Sequence, residues 1–162
     1  MNKYDRLVML LNQEMQDKGY SVNDLSDKIG VNGPTMMYWI KKKTFPKDVN
    51  LIKIAKYFDV SPMTFFEDDD YTMLESLMLE KGLTIHDLTE ILDEKYLNIN
   101  NYIQGRRFPK LRTAYMLCEV LEFEPIRWLE VFDRDNVRPP VWFRQIQVWK
   151  EVRDELGEQW NE

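Results

Sequence analysis

The chain has 162 residues, 44% apolar and 13% aromatic, with a net charge of −6. That aromatic content excludes a disordered chain, and the length suits two small cores and a docking segment rather than one enzyme-sized core. No run approaches the ~18 apolar residues a membrane helix needs, Met1–Leu11 lacks a signal-peptide apolar run, and one Cys with one His cannot build a metal cluster. The expectation is a soluble, cytoplasmic protein without cofactor or metal.

The charge is unevenly placed. Residues 1–67 carry ten Lys/Arg against eight Asp/Glu, residues 68–130 seven against thirteen, and residues 131–162 five against seven. An acidic whole argues against loose coating of nucleic acid, so basic residues matter only where they cluster.

In chain order, Tyr4–Lys18 places Leu7, Met9, Leu10, Leu11 and Met15 on a broad helical face that ends at Gly19. Ser21 offers an N-cap to a helix through Ile29, with Asp24 as the capping-box carboxylate, and Gly30 supplies a left-handed turn. Asn32 is the next N-cap candidate, with Pro34 in the first turn of a helix that runs to about Lys42. Phe45-Pro46 breaks the pattern before a helix carrying Leu51, Ile54, Ala55 and Phe58. Ser61-Pro62 starts a fifth, short helix closed by Phe65 and Phe66.

From Tyr71 to Val131 the order returns at an offset of 63 residues: Lys18-Gly19 as Lys81-Gly82, Asp24-Leu25 as Asp87-Leu88, Phe45-Pro46 as Phe108-Pro109, and Pro62 through Glu67 as Pro125 through Glu130. Such self-similarity makes each copy a folding unit of about sixty residues. Thr84 is placed to cap the second copy's second helix, and Asp93 stands where Gly30 stood, Asp being tolerant of the left-handed region. The division is 1–67, 68–131 and 132–162, with Asp68-Asp69-Asp70 as a short solvating junction. After Val131 a polar, proline-closed linker, Asp133–Pro140, leads to a final helix over about Val141–Trp160, striped by Trp142, Ile146, Trp149, Val152, Leu156 and Trp160. That stripe must pack on the two domains, on a second copy or on a protein partner.

The lines Ser21 to Val31, Trp39 to Pro46 and Leu51 to Ser61, with their repeats, resemble the helix-turn-helix domain of the phage repressor and Cro (XRE) family. The resemblance implies an all-α fold of two tandem five-helix, lambda-repressor-like domains plus the C-terminal amphipathic helix. It implies recognition helices at Asn32–Lys42 and about Lys95–Gln104, whose first residues meet base edges in the major groove. The DNA-contacting set carried over is Asn32, Thr35, Tyr38, Lys41, Lys42, Lys43 and Lys47 in the first copy, and Lys95, Tyr96, Asn98, Asn101, Gln104, Arg106 and Arg107 in the second. Departures are Val22 and Ile85 where the family usually has Gln, Gly33-Pro34 at positions that commonly read bases, and Asp93-Glu94 just before the second recognition helix, where they repel phosphates.

Other residues read as structural. Leu25, Ile29, Trp39, Ile54, Phe58, Leu88, Leu92, Tyr102, Leu117 and Leu121 are expected in the cores, Cys118 as a buried thiol, and His86 on a solvated helix start. No nucleophile stands with a base, so no enzyme is expected. The leading expectation is a phage- or mobile-element-type transcriptional regulator binding double-stranded DNA as a covalent pseudo-dimer. Its competitor is a helix-turn-helix module for protein interaction, an antirepressor or inhibitor of host defence.

Overall fold

The computed structural model describes residues 1–67, 71–134 and 139–156. Among these there are ten α-helices, two 3-10 turns and no strand, so the fold is all-α. Contacts divide the chain into two compact units. Unit 1 is Met1–Tyr71 and takes in Gly82–Thr84, while unit 2 has its body in Thr72–Lys81 and from Ile85 onward.

Unit 1 comprises α1 (Lys3–Lys18), α2 (Val22–Ile29), α3 (Gly33–Ile40) and α4 (Asp48–Phe58), closed by a 3-10 turn at Pro62–Phe65. Its boundaries follow from local chemistry. Asn2 caps α1 by accepting from the Asp5 N–H, and Gly19 ends it in the left-handed region at φ 67°. Ser21 and Asp24 form a full capping box, each side chain accepting the other's backbone N–H. Asn32 caps α3, with Pro34 in its first turn, where a missing N–H loses no helical bond. Helix α3 packs on α1 and α2, α2 on α4, and the closing turn on α1 and α4. Leu11, Leu25, Met36, Trp39, Ile54 and Phe65 are buried between them.

Unit 2 comprises α5 (Met73–Glu80), α6 (Ile85–Leu92), α7 (Tyr96–Ile103), α8 (Leu111–Leu121), a 3-10 turn at Pro125–Arg127, α9 (Trp128–Arg134) and α10 (Trp142–Leu156). Thr72 caps α5 by accepting from the Glu75 N–H, and its hydroxyl donates to the Ile103 carbonyl, tying α5 to the end of α7. Helix α6 packs on α7, and α5 on α8 and α9. Trp128 is wholly buried, and its indole N–H donates to the Cys118 sulfur at 3.3 Å. The thiol is therefore a buried acceptor.

Among the described residues, the eight with positive φ fall into pairs 63 apart: Gly19 and Gly82, Gly30 and Asp93, Lys42 and Gly105, Asp59 and Glu122. The carbonyl pattern at these bends also recurs, Lys43 N–H to Tyr38 O beside Arg106 N–H to Asn101 O, both 2.9 Å.

Several expectations are corrected. Helix α3 stops at Ile40, and Lys41–Lys43 form a turn through the left-handed Lys42, because this bend is what brings Phe45-Pro46 back to the core. Helix α9 runs to Arg134, so the linker starts later than Asp133. Met9 is 59% exposed, outside the α1 face that buries Leu7 and Leu11. Phe58 and Tyr102 are half-buried at the edge of their cores, unlike the other core residues expected.

The C-terminal helix folds back on unit 2. It packs on α8 and on the Pro125–Arg127 turn, burying Trp142 and Ile146. The Trp142 ring stands edge-on to Trp128 at 5.3 Å, a favourable quadrupole arrangement. Trp160 and the side chains of Trp149, Val152 and Leu156 lie outside the described residues.

Candidate nucleic-acid interface

A helix that reads DNA needs donors at its first turn and cations beside it to hold phosphates. In unit 1, the exposed Asn32 uses its carbonyl oxygen to cap α3, accepting from the Thr35 N–H at 2.8 Å. What remains for a base or phosphate is its NH2. At Gly33 a Cβ would stand 2.4 Å from the Oδ1 of the exposed Asn23 side chain on α2, which would have to turn aside. Pro34 is exposed, Thr35 half-buried and Tyr38 51% exposed.

The cations of unit 1 follow α3. Lys41, Lys42, Lys43 and Lys47 are all exposed, the first three on the turn that ends the helix. They are not equivalent. Lys42 is ion-paired with Asp5 of α1. The hydrogen bond from Lys42 also holds the Asp5 carboxyl below the usual carboxylate range. The ammonium of Lys43 lies 5.9 Å from the Tyr38 ring centre, within cation–π range. Lys53 donates to the Gly30 carbonyl at 3.1 Å, bracing the α2–α3 turn from α4.

In unit 2, α7 begins differently. Lys95 precedes the helix without a side-chain cap, and the Glu94 carboxylate accepts from the Lys95 N–H at 3.0 Å and from the Asn98 side-chain amide at 2.7 Å. The Asn98 bond, then the Lys95 N–H, hold the Glu94 carboxyl below its ordinary range. Gln104 donates its amide to Glu75 on α5 at 3.2 Å. Asn98 and Gln104, two of the amides expected to face DNA, are thus engaged within unit 2. Asn101 is half-buried and its carbonyl accepts the N–H groups of both Arg106 and Arg107. Lys95, Tyr96, Arg106 and Arg107 are exposed.

Sequence reasoning missed two cations. Lys110 and Arg112 are exposed at the start of α8 beyond the arginine pair. Lys110 was findable, since it stands 63 residues after Lys47. His86 is exposed and lies 3.5 Å from Glu90, a surface pair.

No helix among the described residues is long and apolar enough to cross a membrane. Residues 11–70 match the family model of the Cro/C1-type HTH DNA-binding domain, which spans the second half of α1 and the rest of unit 1. Comparison with curated proteins and with solved structures gave no match.

Proposed function

We propose that the chain is a DNA-binding transcriptional regulator, of the kind carried by phages and other mobile elements, whose two units act as tandem helix-turn-helix domains in a covalent pseudo-dimer. The observation that carries the reading is the recurrence of one arrangement. After α3 and again after α7, a left-handed residue bends the chain, and exposed cations lie beside the bend: Lys41, Lys43 and Lys47 around Lys42 in unit 1, Arg106, Arg107 and Lys110 after Gly105 in unit 2. Cations on backbone bends hold phosphates and fix register without reading sequence. Base contact in this reading falls to Asn32, Thr35 and Tyr38 in unit 1 and to Lys95, Tyr96, Asn98 and Asn101 in unit 2, with Asn98 having first to leave Glu94. Burial of Trp142 and Ile146 supports a strut role for α10 on unit 2 over a seam between copies.

The test is fluorescence anisotropy with a random duplex pool, followed by selection, at about 50 and 200 mM salt, where several phosphate contacts imply an affinity loss of about 10³-fold or more. Replacing Arg106 and Arg107 by Ala is expected to weaken binding to every sequence alike, and Asn101→Ala to relax preference at one position. Absence of binding at low salt would end this reading.

A further inference from the structure

The turn between α6 and α7 differs in kind from its counterpart between α2 and α3. Where unit 1 has Lys28, Gly30, Val31, Gly33 and Pro34, unit 2 has Ile91, Asp93, Glu94, Tyr96 and Leu97, each 63 residues on. A cation and small or neutral residues are replaced by two carboxylates and three large apolar side chains. Those three are exposed, Ile91 by 46%, Tyr96 by 55% and Leu97 by 67%. Single exposed apolar residues are ordinary, but three within seven residues, rimmed by carboxylates, form the kind of patch that marks a contact surface.

We infer that the α6–α7 turn and the first turn of α7 are a docking surface for a basic protein segment that carries aliphatic side chains between its lysines or arginines.

Charge complementarity selects this occupant. Glu90 is exposed at the end of α6, Asp93 is exposed at the bend, and Glu94 is fixed by Asn98 and the Lys95 N–H, while Lys95 is the one cation in the segment 90–98. Such a rim attracts lysine and arginine and steers a basic chain onto the apolar centre. It repels phosphate at the position where the first turn of a reading helix meets DNA, and Tyr96 and Leu97 bring no amide to pair with a base. Two copies meeting through this same face would set carboxylates against carboxylates. An aliphatic side chain on the partner covers Leu97 and Tyr96, with the aromatic ring as the rigid anchor. The surface shares Tyr96 with the base contacts proposed for unit 2, so a seated segment and DNA exclude one another there. Because Arg106 and Arg107 lie on the turn that follows α7, a segment seated on its first turn also bars unit 2 from a groove.

The experiment is a titration of the isotope-labelled full chain, followed by NMR, with a synthetic helical peptide of leucine and lysine whose leucines share one face. The matched leucine–glutamate peptide is the control. Shifts are expected to concentrate at Ile91, Asp93, Tyr96 and Leu97. Leu97→Asp is expected to weaken binding about ten-fold or more with melting unchanged, because the side chain is exposed. Glu90→Gln with Asp93→Asn and Glu94→Gln is expected to weaken it and flatten its salt dependence, and Arg106→Ala to leave it as it was. Equal affinity for Leu97→Asp, equal binding of the leucine–glutamate peptide, or shifts scattered over the acidic surface would overturn the proposal. Failure of DNA binding alone leaves the peptide result intact, so the two readings fail separately.

Discussion

At the scale of residues, the lysines after α3 divide by what else they touch. A cation contributes to DNA affinity by releasing counterions from phosphates, at about 0.9 in the slope of log affinity against log salt for each phosphate held. Lys42 already has Asp5 as its counterion, whereas Lys41 and Lys43 are exposed and have no ion pair to a carboxylate among the described residues. Lys41→Ala and Lys43→Ala are each expected to lower the slope by about 0.9. Lys42→Met is expected to leave it near its starting value, as salt titrations of the three variants will show. Sequence reading placed all three in one basic cluster, which is where they lie. It could not rank them, because the rank depends on Asp5, 37 positions away and brought close only by the packing of α1 on α3. Asn98 and Gln104 are expected DNA contacts whose amides bond within unit 2, one to Glu94 on the preceding turn and the other to Glu75 on α5, a partner 29 positions away that sequence does not show.

Elements were legible where their ends are chemically local. The capping box at Ser21 and Asp24, the Asn32 cap, the left-handed Gly30 and its substitute Asp93 all stand where sequence places them, since each uses atoms within three residues. The end of α9 and the tight bend at Lys42 were not legible, because tertiary packing decides where those helices stop. The capping box also makes α2 sensitive to acid. Bonds from the Ser21 N–H and hydroxyl hold Asp24 below its ordinary range. A carboxylate with a lowered folded pKa adds stability that is present above its unfolded pKa, about 3.9, and is lost as pH falls through the lower folded value. Ser21→Ala is expected to cost about 1 kcal/mol. Asp24→Asn is expected to remove part of the stability loss between pH about 4 and the lower folded value, which melting curves across that range will measure.

For the whole molecule, if both units hold DNA as proposed, joining two weak grips raises affinity without any new contact, by about 10²–10⁴-fold. Disabling either grip, by Lys41→Ala with Lys43→Ala or by Arg106→Ala with Arg107→Ala, is then expected to cost about 10²-fold or more, and equilibrium binding of the two double variants will read it. A single working unit would instead leave one of the two double variants unaffected. Among the paired left-handed bends, the copies agree on glycine at 19 and 82 and on side chains at 59 and 122, but differ at the other two, where one copy has glycine and its counterpart does not. The left-handed region costs an ordinary residue about 1–2 kcal/mol, less for Asp. Each copy is thus a template for repairing the other, and grafting Lys into Gly105 is expected to lower the melting temperature more than grafting Asp into Gly30. At two of its four paired bends the chain already has, in one unit, the side chain that the other unit's glycine leaves out.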